Sequence, residues 1–477
     1  MLVDGATYST RTATPRQSPA DPSIEVGSVG HATGSDIDRA FAASARAFED
    51  WRHLAYAQRA SFLRRLAELL DRDRFALAAS LSVEIGKNRF EAMTEIEEAI
   101  ALIDYYIADA TRPDRFIAEL LPLKTDRSLS VLRPYGIWAV FSPANFPLAL
   151  LVGMSAAALI TGNTVIAKPP PDGAITALRL VDLVKEAAFP PGVMNLVSGG
   201  VEVGERIVAH NALSGVAFTG SSRTGRQIVL VGAGRGIPVI AEMGGKNATI
   251  VARTADIELA TTGIVRSAFR YSGQKCSACS RVYADGDIVD ELFEGLVEGA
   301  NSLRIGVPWL RETEVGSLIN QNALKRYAAA VRAAGDVAEV AIVDLPADLP
   351  ADGAYAAPAL AFNVPESHWI ATDELFLPLL CVQPVDSFDE ALRRTNASSY
   401  GLTAGIYSGD DNEVGRFFDV IEAGVAYANR PAGATTGAWP TYQSFGGWKA
   451  SGAAGKNAHG PYYLNLFLRE QCQTRTA

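Results

Sequence analysis

The sequence predicts an α/β protein in which a parallel sheet is covered by helices. Three observations predict this class. Apolar segments alternate between strand and helix periodicity from Ile137 to Val251, β-branched runs such as residues 164–167 indicate buried strands, and several helical segments come before the first strong strand. This alternation is typical of parallel sheets, whose ligands bind beyond the carboxyl ends of the strands. A nucleotide-binding architecture is therefore expected.

Four helices are predicted ahead of the sheet. The first begins at a capping box at Ser35 and runs to Trp51, and the others cover about 57–70, 75–85 and 88–110. Residues 1–21 are polar and rich in Thr, Pro and Ser, without an apolar core. They are expected to form a flexible lead-in rather than a secretory signal.

Two glycine-containing segments follow strands or helices of the predicted sheet. In Phe218–Gly225 a strand meets the start of a helix, where backbone amides and the helix dipole favour an anion such as phosphate. Gly232–Gly236 has the spacing of a dinucleotide fingerprint, but it follows a helix, so it is interpreted as a turn. A second α/β segment is expected from Gly244 to about Ala432.

Two alternating segments near opposite ends of the chain predict edge strands. Residues 128–131 alternate after a turn at 124–126, and residues 463–469 alternate in the same way. Exposed apolar edges promote association, so pairing with another subunit is expected. The alternative is that both strands pack on their own domain.

Composition limits the class of protein. A chain of 477 residues exceeds one hydrophobic core, so two or three domains are expected. A net charge of −10 argues against nucleic acid as a partner, because phosphate binding needs clustered lysine and arginine. Four irregularly spaced cysteines favour a reducing compartment, and a cytoplasmic location is expected. The longest uncharged stretch, 134–167, is interrupted by prolines, so no membrane span is expected.

The candidate nucleophile is Cys276, in a small polar run that opens out of an apolar segment. A free thiol with a pKa of about 8.5 is only about 3 % thiolate at pH 7, and the neighbouring Lys275 is expected to lower that pKa. Cys279 is interpreted as an inert core residue. No metal is expected, because Cys381, Cys472 and the five histidines show no ligand spacing.

Four motifs, taken in order, resemble the aldehyde dehydrogenase superfamily over almost the whole chain: 142–147, 241–247, 273–276 and 373–378. The resemblance implies NAD(P)-dependent oxidation of an aldehyde to a carboxylate. It implies a Rossmann-type cofactor domain, an α/β catalytic domain and a β-hairpin oligomerisation element, hence a homodimer or higher homo-oligomer. The implied boundaries are 1–117 with 137–244 for cofactor binding, 118–136 with 455–477 for oligomerisation, 245–432 for catalysis, and 433–454 for a return segment with a substrate-anchor loop.

The resemblance also implies a role for each matching residue. Cys276 would attack the carbonyl, its amide and the Asn145 side chain would stabilise the oxyanion, and Glu242 would activate water. Burial in an apolar pocket is expected to raise the pKa of Glu242. The implied cofactor-binding residues are Ser142, Lys168, Gly220, Ser221, Ser222, Arg223, Thr224, Glu374 and Phe376.

Within the superfamily the motifs are most similar to the pyrroline-5-carboxylate dehydrogenases. The lysine before and the serine after Cys276, and residues 429–430 followed by 436–438, carry this similarity. It implies oxidation of L-glutamate γ-semialdehyde to L-glutamate in proline catabolism. Backbone amides of the anchor loop and a hydroxyl would bind the amino-acid carboxylate, from Ser277, Gly437 and Ala438.

Three positions depart from the family pattern, and three alternatives stay open. Ala144 replaces an aromatic residue, Leu377 replaces a glycine, and Asp172 lies one position further from Lys168 than the usual ribose-binding carboxylate. NAD is expected, with NADP left open. The alternatives are a dehydrogenase of another semialdehyde or of an aliphatic or aromatic aldehyde, a CoA-acylating variant, which Glu242 disfavours, and a catalytically silent binding protein.

Overall fold

The structure is a computed structural model, and it describes residues 1–10, 12–433 and 442–476. Two seven-stranded sheets and one three-stranded sheet organise these ranges. Within them, no helix combines the length and the apolar character that crossing a membrane would need.

The first sheet is parallel except at one end. In spatial order its strands are Val239–Glu242, Leu213–Thr219, Ile137–Phe141, Thr164–Lys168, Met194–Leu196, Leu2–Val3 and Ala6–Thr7, the last two antiparallel. The register pairs Phe141 with Lys168 and Thr219 with Glu242. Because parallel strands end at one edge of a sheet, the residues that follow these strands share that edge.

Both faces of this sheet are buried, because side chains alternate across a strand. Ile137, Ala139 and Phe141 pack in one apolar core, while Trp138 and Val140 pack in another. The helices described in the structure are Gly34–Trp51, Tyr56–Arg72, Arg74–Ile85, Arg89–Ala110, Ala149–Ile160, Ala174–Leu178, Leu180–Glu186, Val201–Ala209, Ser222–Arg235, Ile257–Phe269, Val289–Asn301, Gln321–Gly335, Trp369–Thr372, Phe388–Asn396 and Asp411–Val420, with short 3-10 turns at Arg270–Gly273 and Leu464–Phe467.

The second sheet is also mainly parallel. Its strands, in spatial order, are Glu339–Ile342, Ala359–Phe362, Leu379–Val385, Cys279–Asp285, Asn247–Val251, Thr403–Tyr407 and Val425–Ala428. Only Glu339–Ile342 pairs antiparallel. Its central strands begin next to the carboxyl edge of the first sheet, since Met243–Lys246 alone connects Val239–Glu242 to Asn247–Val251.

A three-stranded antiparallel sheet stands apart from both. Asp126–Pro134 is its central strand, flanked by Ile117–Glu119 and Leu468–Thr476, so the chain end pairs with a segment more than 300 positions earlier. Two small antiparallel pairs complete the strands: Ala13–Gln17 with Glu25–Gly30, and Tyr400–Gly401 with Trp448–Lys449.

The N-terminal segment and the first helix differ from the sequence-based expectation. The expectation of a flexible lead-in over 1–21 was wrong, because Leu2 and Val3 are buried as a strand of the first sheet and Ala13–Gln17 forms a hairpin. The first helix is capped by Thr33, whose side chain accepts from the Asp36 amide, rather than by Ser35.

Two further segments differ as well. Gly232 and Gly234 lie in the last turns of Ser222–Arg235, and Gly236 ends that helix in the left-handed region, so only the end of the expected turn is present. Residues 464–467 form a 3-10 turn because Leu464 and Phe467 both pack in the apolar core that contains Trp138 and Val140, which alternation along a strand would prevent. The strand begins at Leu468.

Candidate active site

The candidate active site lies where the carboxyl edge of the first sheet meets the amino edge of the second. Glu242 ends a strand of the first sheet, Cys276 precedes the strand Cys279–Asp285, and Glu374 precedes Leu379–Val385. Cys276 and Glu242 line one cavity of about 270 Å³. The two residues that the sequence predicted as nucleophile and base are therefore brought together.

The loop that carries Cys276 is tightly constrained. Tyr271 and Ser272 have φ of 51° and 52°, a region that L-residues rarely adopt, and Gly273 has φ of 66°. A Cβ at Gly273 would lie 2.5 Å from the Leu377 carbonyl oxygen. The Ser272 hydroxyl donates to the Gly316 carbonyl at 2.9 Å. Such backbone strain persists only where surrounding contacts hold it, and it is common at functional sites.

Cys276 is half-buried and lines the cavity, so substrate can reach it. Burial by the surrounding protein, followed by the charges of Glu374 and Glu242, raises the pKa of Cys276 to about 12. The predicted lowering of this pKa by Lys275 was wrong. The Lys275 ammonium forms a buried ion pair with Glu91 at 2.7 Å, which neutralises it.

Glu242 has the electrostatics of a general base. Burial raises the pKa of its carboxyl group well above the usual range, and the Gly447 amide, which donates to Oε2 at 3.0 Å, offsets this only in part. A carboxylate with a raised pKa accepts a proton more readily near neutral pH. The direction agrees with the expectation from sequence.

Asn145 contacts the Cys276 loop without lining the cavity. Its side-chain amide donates to the Gln274 carbonyl at 2.9 Å, two residues before the nucleophile, and the side chain is buried. The neighbouring Phe146 forms part of the cavity wall instead. An amide has two N–H groups, so this bond leaves one for another acceptor.

Asn247 is a site residue that the sequence did not single out. Its Nδ2 donates to the carbonyls of Cys276 at 2.7 Å and Ala278 at 2.9 Å, and its Oδ1 accepts from the Thr403 amide at 3.0 Å. It thereby fixes the backbone on both sides of Ser277. Its position directly after two glycines and Lys246 was the only signal in the sequence.

A buried ion pair beneath the site was also missed. Lys87 pairs with Glu95, both side chains being fully buried, and its ammonium lies 3.5 Å from the centroid of the Phe146 ring. The other carboxylate oxygen of Glu95 accepts from the amides of Leu148 and Ala149 at 2.9 and 3.1 Å. The pair thus supports the loop that carries Asn145.

The predicted phosphate-facing segment forms a helix start. Ser221 caps the helix Ser222–Arg235, its hydroxyl accepting from the Thr224 amide, and a Cβ at Gly220 would lie 2.5 Å from the Phe218 ring. Ser221, Thr224 and the intervening Arg223 are exposed, while Ser222 is half-buried. The backbone amides at this helix N-terminus suit a phosphate group, and Gly220 has no side chain that would obstruct its approach.

Lys168 and Ser142 lie at the same edge. Burial lowers the pKa of Lys168 to about 8, and its ammonium donates to the Pro169 carbonyl at 3.3 Å. This leaves two N–H groups for a ribose. The Ser142 hydroxyl donates to the Pro147 carbonyl at 3.2 Å, so it closes its own loop.

The carboxylate near Lys168 is not the one that the motif suggested. Asp172 is held by Arg16 and by the Asn320 side-chain amide, at 2.9 Å for the latter. Glu202, on the helix Val201–Ala209, is instead close enough that its negative charge partly offsets the lowering of the Lys168 pKa by burial. A Cβ on the same helix at Gly204 would lie 4.0 Å from the Lys168 Cε.

Glu374 packs against a glycine pair on the other side of the site. Its Oε1 accepts from the Gly245 amide at 3.0 Å, and a Cβ at Gly244 would collide with the same carboxylate. Burial raises the pKa of Glu374 to about 7. Phe376 has φ of 61°, a strained backbone conformation two residues later. Together with Lys168 and the helix start, these groups fit a dinucleotide lying across the sheet edge.

The predicted substrate-binding residues are only partly within the described ranges. Ser277 lines the cavity beside Cys276 and is buried. Gly437 and Ala438 lie outside the described residues.

Comparisons with known proteins agree with this architecture. The model of the aldehyde dehydrogenase family matches residues 7–472. A 1-pyrroline-5-carboxylate dehydrogenase of Bacillus licheniformis is 33% identical, covering 98% of this chain and 91% of its own. An alpha-ketoglutaric semialdehyde dehydrogenase of Bacillus subtilis is 33% identical, covering 91% of this chain and 89% of its own. The solved 1-pyrroline-5-carboxylate dehydrogenase from Thermus with bound NAD has a TM-score of 0.94 at 32% identity, with 100% of this chain and 92% of that one covered.

Fold, site and comparisons define an enzyme that acts on the aldehyde group. The chain belongs to the aldehyde dehydrogenase family. The predicted fold class and the predicted enzyme class are both confirmed.

Proposed function

We propose that this enzyme oxidises L-glutamate γ-semialdehyde to L-glutamate with NAD, Cys276 acting as nucleophile and Glu242 as base. The observation that carries the proposal is that both side chains line one cavity. The relatives named 1-pyrroline-5-carboxylate dehydrogenase support the substrate. The relative named alpha-ketoglutaric semialdehyde dehydrogenase supports a second candidate, a 2-keto semialdehyde of similar length.

The first bond is made by the Cys276 sulfur. The thiol loses its proton to solvent, and Sγ then forms a bond to the aldehyde carbon while the carbonyl electrons move to oxygen. The oxyanion is stabilised by the Cys276 amide and by the free N–H of Asn145, and one such donor is typically worth about 10²–10³ in rate. A bound nicotinamide ring would supply the hydride acceptor, and loss of hydride from the adduct carbon would leave a thioester on Cys276.

Glu242 completes the reaction. Its carboxylate takes a proton from water as the water oxygen attacks the thioester carbon. The carbon–sulfur bond breaks, the thiol is regenerated, and the substrate leaves as a carboxylate. A base in the cavity favours water over a thiol cofactor as the acyl acceptor.

Glu202 supports a preference for NAD over NADP. Asp172 pairs with Arg16, whereas the charge of Glu202 acts on Lys168. Lys168 is the residue that the proposal assigns to the adenine-side ribose. A carboxylate there accepts hydrogen bonds from ribose hydroxyls and repels a 2′-phosphate.

NADH formation from a substrate panel tests the activity. Pyrroline-5-carboxylate, in equilibrium with glutamate semialdehyde, is expected to give the highest kcat/KM, above α-ketoglutaric semialdehyde, succinate semialdehyde and simple aldehydes. A higher kcat/KM for any other member would replace the proposed substrate. Acyl-CoA formation upon addition of CoA would contradict the role of Glu242.

Direct binding tests the cofactor preference. Glu202→Gln is expected to bring the Kd of NADP at least about fivefold closer to that of NAD, because one repulsive charge is removed. Calorimetric titration with both dinucleotides measures this without turnover. Glu205→Gln, an exposed carboxylate on the same helix, is the control and should leave the ratio unchanged. An unchanged ratio in Glu202→Gln would contradict the assignment.

A further inference from the structure

The cavity next to Cys276 contains a half-buried carboxylate, Glu98, that has no ion-pair partner. Glu91, Glu97, Glu98 and Glu242 all line it, against the single lysine Lys275. Glu91 is neutralised by Lys275, and Glu242 sits beside the nucleophile with the Gly447 amide as its partner. Glu98 has neither an ion pair nor a hydrogen bond to any residue within 1–10, 12–433 or 442–476.

The surroundings of Glu98 make an unpaired carboxylate costly. Glu98 is half-buried, and apolar side chains form much of the cavity wall, among them Leu102, Phe146 and Met154. Burial raises the pKa of Glu98 to about 7, the charge of Glu95 adding to the effect. A charged group in such surroundings is stable only when an opposite charge arrives.

Glu98 also lies within electrostatic reach of the nucleophile. Its charge contributes to the raised pKa of the Cys276 thiol. On the helix Arg89–Ala110, Glu98 follows Glu91 by two turns, about 10 Å along the axis, so it faces a part of the cavity beyond Lys275. Glu98 and Cys276 line the same cavity, so a substrate whose aldehyde carbon contacts Cys276 has room to extend toward Glu98.

We propose that Glu98 is a specificity-determining residue that binds the α-ammonium group of an amino-acid semialdehyde while its aldehyde carbon contacts Cys276. This inference rests on the proposed function and deepens it. The ammonium would supply the missing counter-charge, and a substrate of equal length without the amino group would leave Glu98 unpaired. Discrimination then arises because the cost of an unpaired carboxylate is paid only by the analogue.

L-glutamate and glutarate are the matched probes, because they differ only by the amino group and neither cyclises. Calorimetric titration of the full chain at pH 8, where Glu98 is mostly ionised, is expected to give a Kd for L-glutamate about tenfold lower than for glutarate. In Glu98→Gln, which keeps the shape of the side chain, the two Kd values should agree within about twofold. Glu98→Asp should retain part of the preference because it retains the charge.

Asp104→Asn is the matched control. Asp104 lies on the same helix, is exposed and does not line the cavity, so its variant should keep the tenfold preference. Melting temperatures of all variants show whether each one folds. A purely structural role of Glu98 would shift the melting temperature and both Kd values together, and would leave their ratio intact.

Three outcomes would overturn the inference. The first is equal binding of L-glutamate and glutarate by the wild type. The second is an unchanged ratio of the two Kd values in Glu98→Gln. The third is that the wild type binds neither L-glutamate nor glutarate. The proposed function is judged separately by NADH formation from pyrroline-5-carboxylate. If that oxidation proceeds while the probes fail to discriminate, only the assignment of Glu98 is wrong.

Discussion

Burial, and after it the charges of Glu374 and Glu242, determine the pH dependence of the Cys276 thiol. Its pKa is raised to about 12, so the thiolate fraction grows about tenfold per pH unit throughout the neutral range. We expect the rate of iodoacetamide alkylation of the free enzyme to rise from pH 7 to pH 10 without a plateau. Mass spectrometry of the peptide that contains Cys276 measures the rate.

The Cys276→Ala variant is the control for this experiment. Cys276→Ala removes the reactive thiol and leaves Cys472, which is exposed, so it reports unrelated alkylation. A plateau near pH 8 in the wild type would contradict the raised pKa. The Cys276→Ala variant should also lose dehydrogenase activity while retaining NAD binding, and substantial residual turnover would refute the role of this thiol.

Glu242 acts after the first hydride has left, so its removal separates the two halves of the reaction. Glu242→Gln is expected to give a burst of about one NADH per site followed by a steady state slower by about 10²–10⁴, the usual contribution of a general base. Stopped-flow absorbance measures both phases. A full steady-state rate without a burst would contradict the assignment.

The identities of the site residues and the raised pKa of Glu242 could be predicted from sequence, but the electrostatic environment of Cys276 could not. Cys276 and Glu242 lie in motifs whose order along the chain is visible, and the structure brings them to one cavity. Lys275 is adjacent to Cys276 in sequence, yet its ammonium pairs with Glu91, which lies 184 positions earlier and is buried with it. Lys275 and Cys276 lie in a turn, where neighbouring side chains meet different surroundings, so adjacency in sequence does not show which charges lie near the thiol.

At the scale of the element, the helix Arg89–Ala110 supports both catalytic loops. Glu91 holds Lys275 of the nucleophile loop, and Glu95 accepts from the amides that start Ala149–Ile160. Glu95→Ala leaves the fully buried Lys87 unpaired, which typically costs about 3–5 kcal/mol. We expect the free energy of unfolding, measured with guanidinium chloride, to fall by that amount.

A control and a compensating variant sharpen this test. Glu97→Ala changes an exposed carboxylate on the same helix and should alter stability by about 0.5 kcal/mol or less. Replacing both members of the pair, by Lys87→Met with Glu95→Leu, should recover much of the loss because no charge is left buried. A loss below about 1 kcal/mol in Glu95→Ala would contradict the importance of the pair.

Long helices could be predicted from sequence, whereas the two-residue strand at the start of the chain could not. The helices expected at about 57–70, 75–85 and 88–110 appear as Tyr56–Arg72, Arg74–Ile85 and Arg89–Ala110, because each carries several turns of apolar periodicity. Leu2–Val3 has two residues, too few to show any period, and becomes a strand through pairing with Ala6–Thr7 on one side and with Met194–Leu196 on the other. Tertiary contacts, not local pattern, determine such elements.

For the whole molecule, the two seven-stranded sheets place the site between them, while the division into functional domains stays a prediction. A cofactor domain over 1–117 and 137–244 and a catalytic domain over 245–432 each contain one of these sheets. The three-stranded sheet draws together 117–134 and 468–476, which agrees in position with the predicted oligomerisation element. Its role as an interface is testable.

This three-stranded sheet exposes apolar side chains that a subunit interface would bury. Leu121 is 95% exposed and Leu123 is 71% exposed, both in the turn between Ile117–Glu119 and Asp126–Pro134. Contiguous apolar exposure of this kind marks an association surface. Leu121→Asp with Leu123→Asp is expected to convert an oligomer into a monomer at micromolar concentration, because four buried charges per dimer interface would be unpaired.

Size-exclusion chromatography with light scattering measures the mass of both species. Leu310→Asp provides the control, since Leu310 is 43% exposed in a loop outside this sheet and its change should leave the wild-type mass unaltered. A wild-type chain that is monomeric at micromolar concentration would contradict the interface and favour the alternative that these strands pack only on their own subunit. An oligomer that survives the double substitution would show that a different surface holds the subunits together.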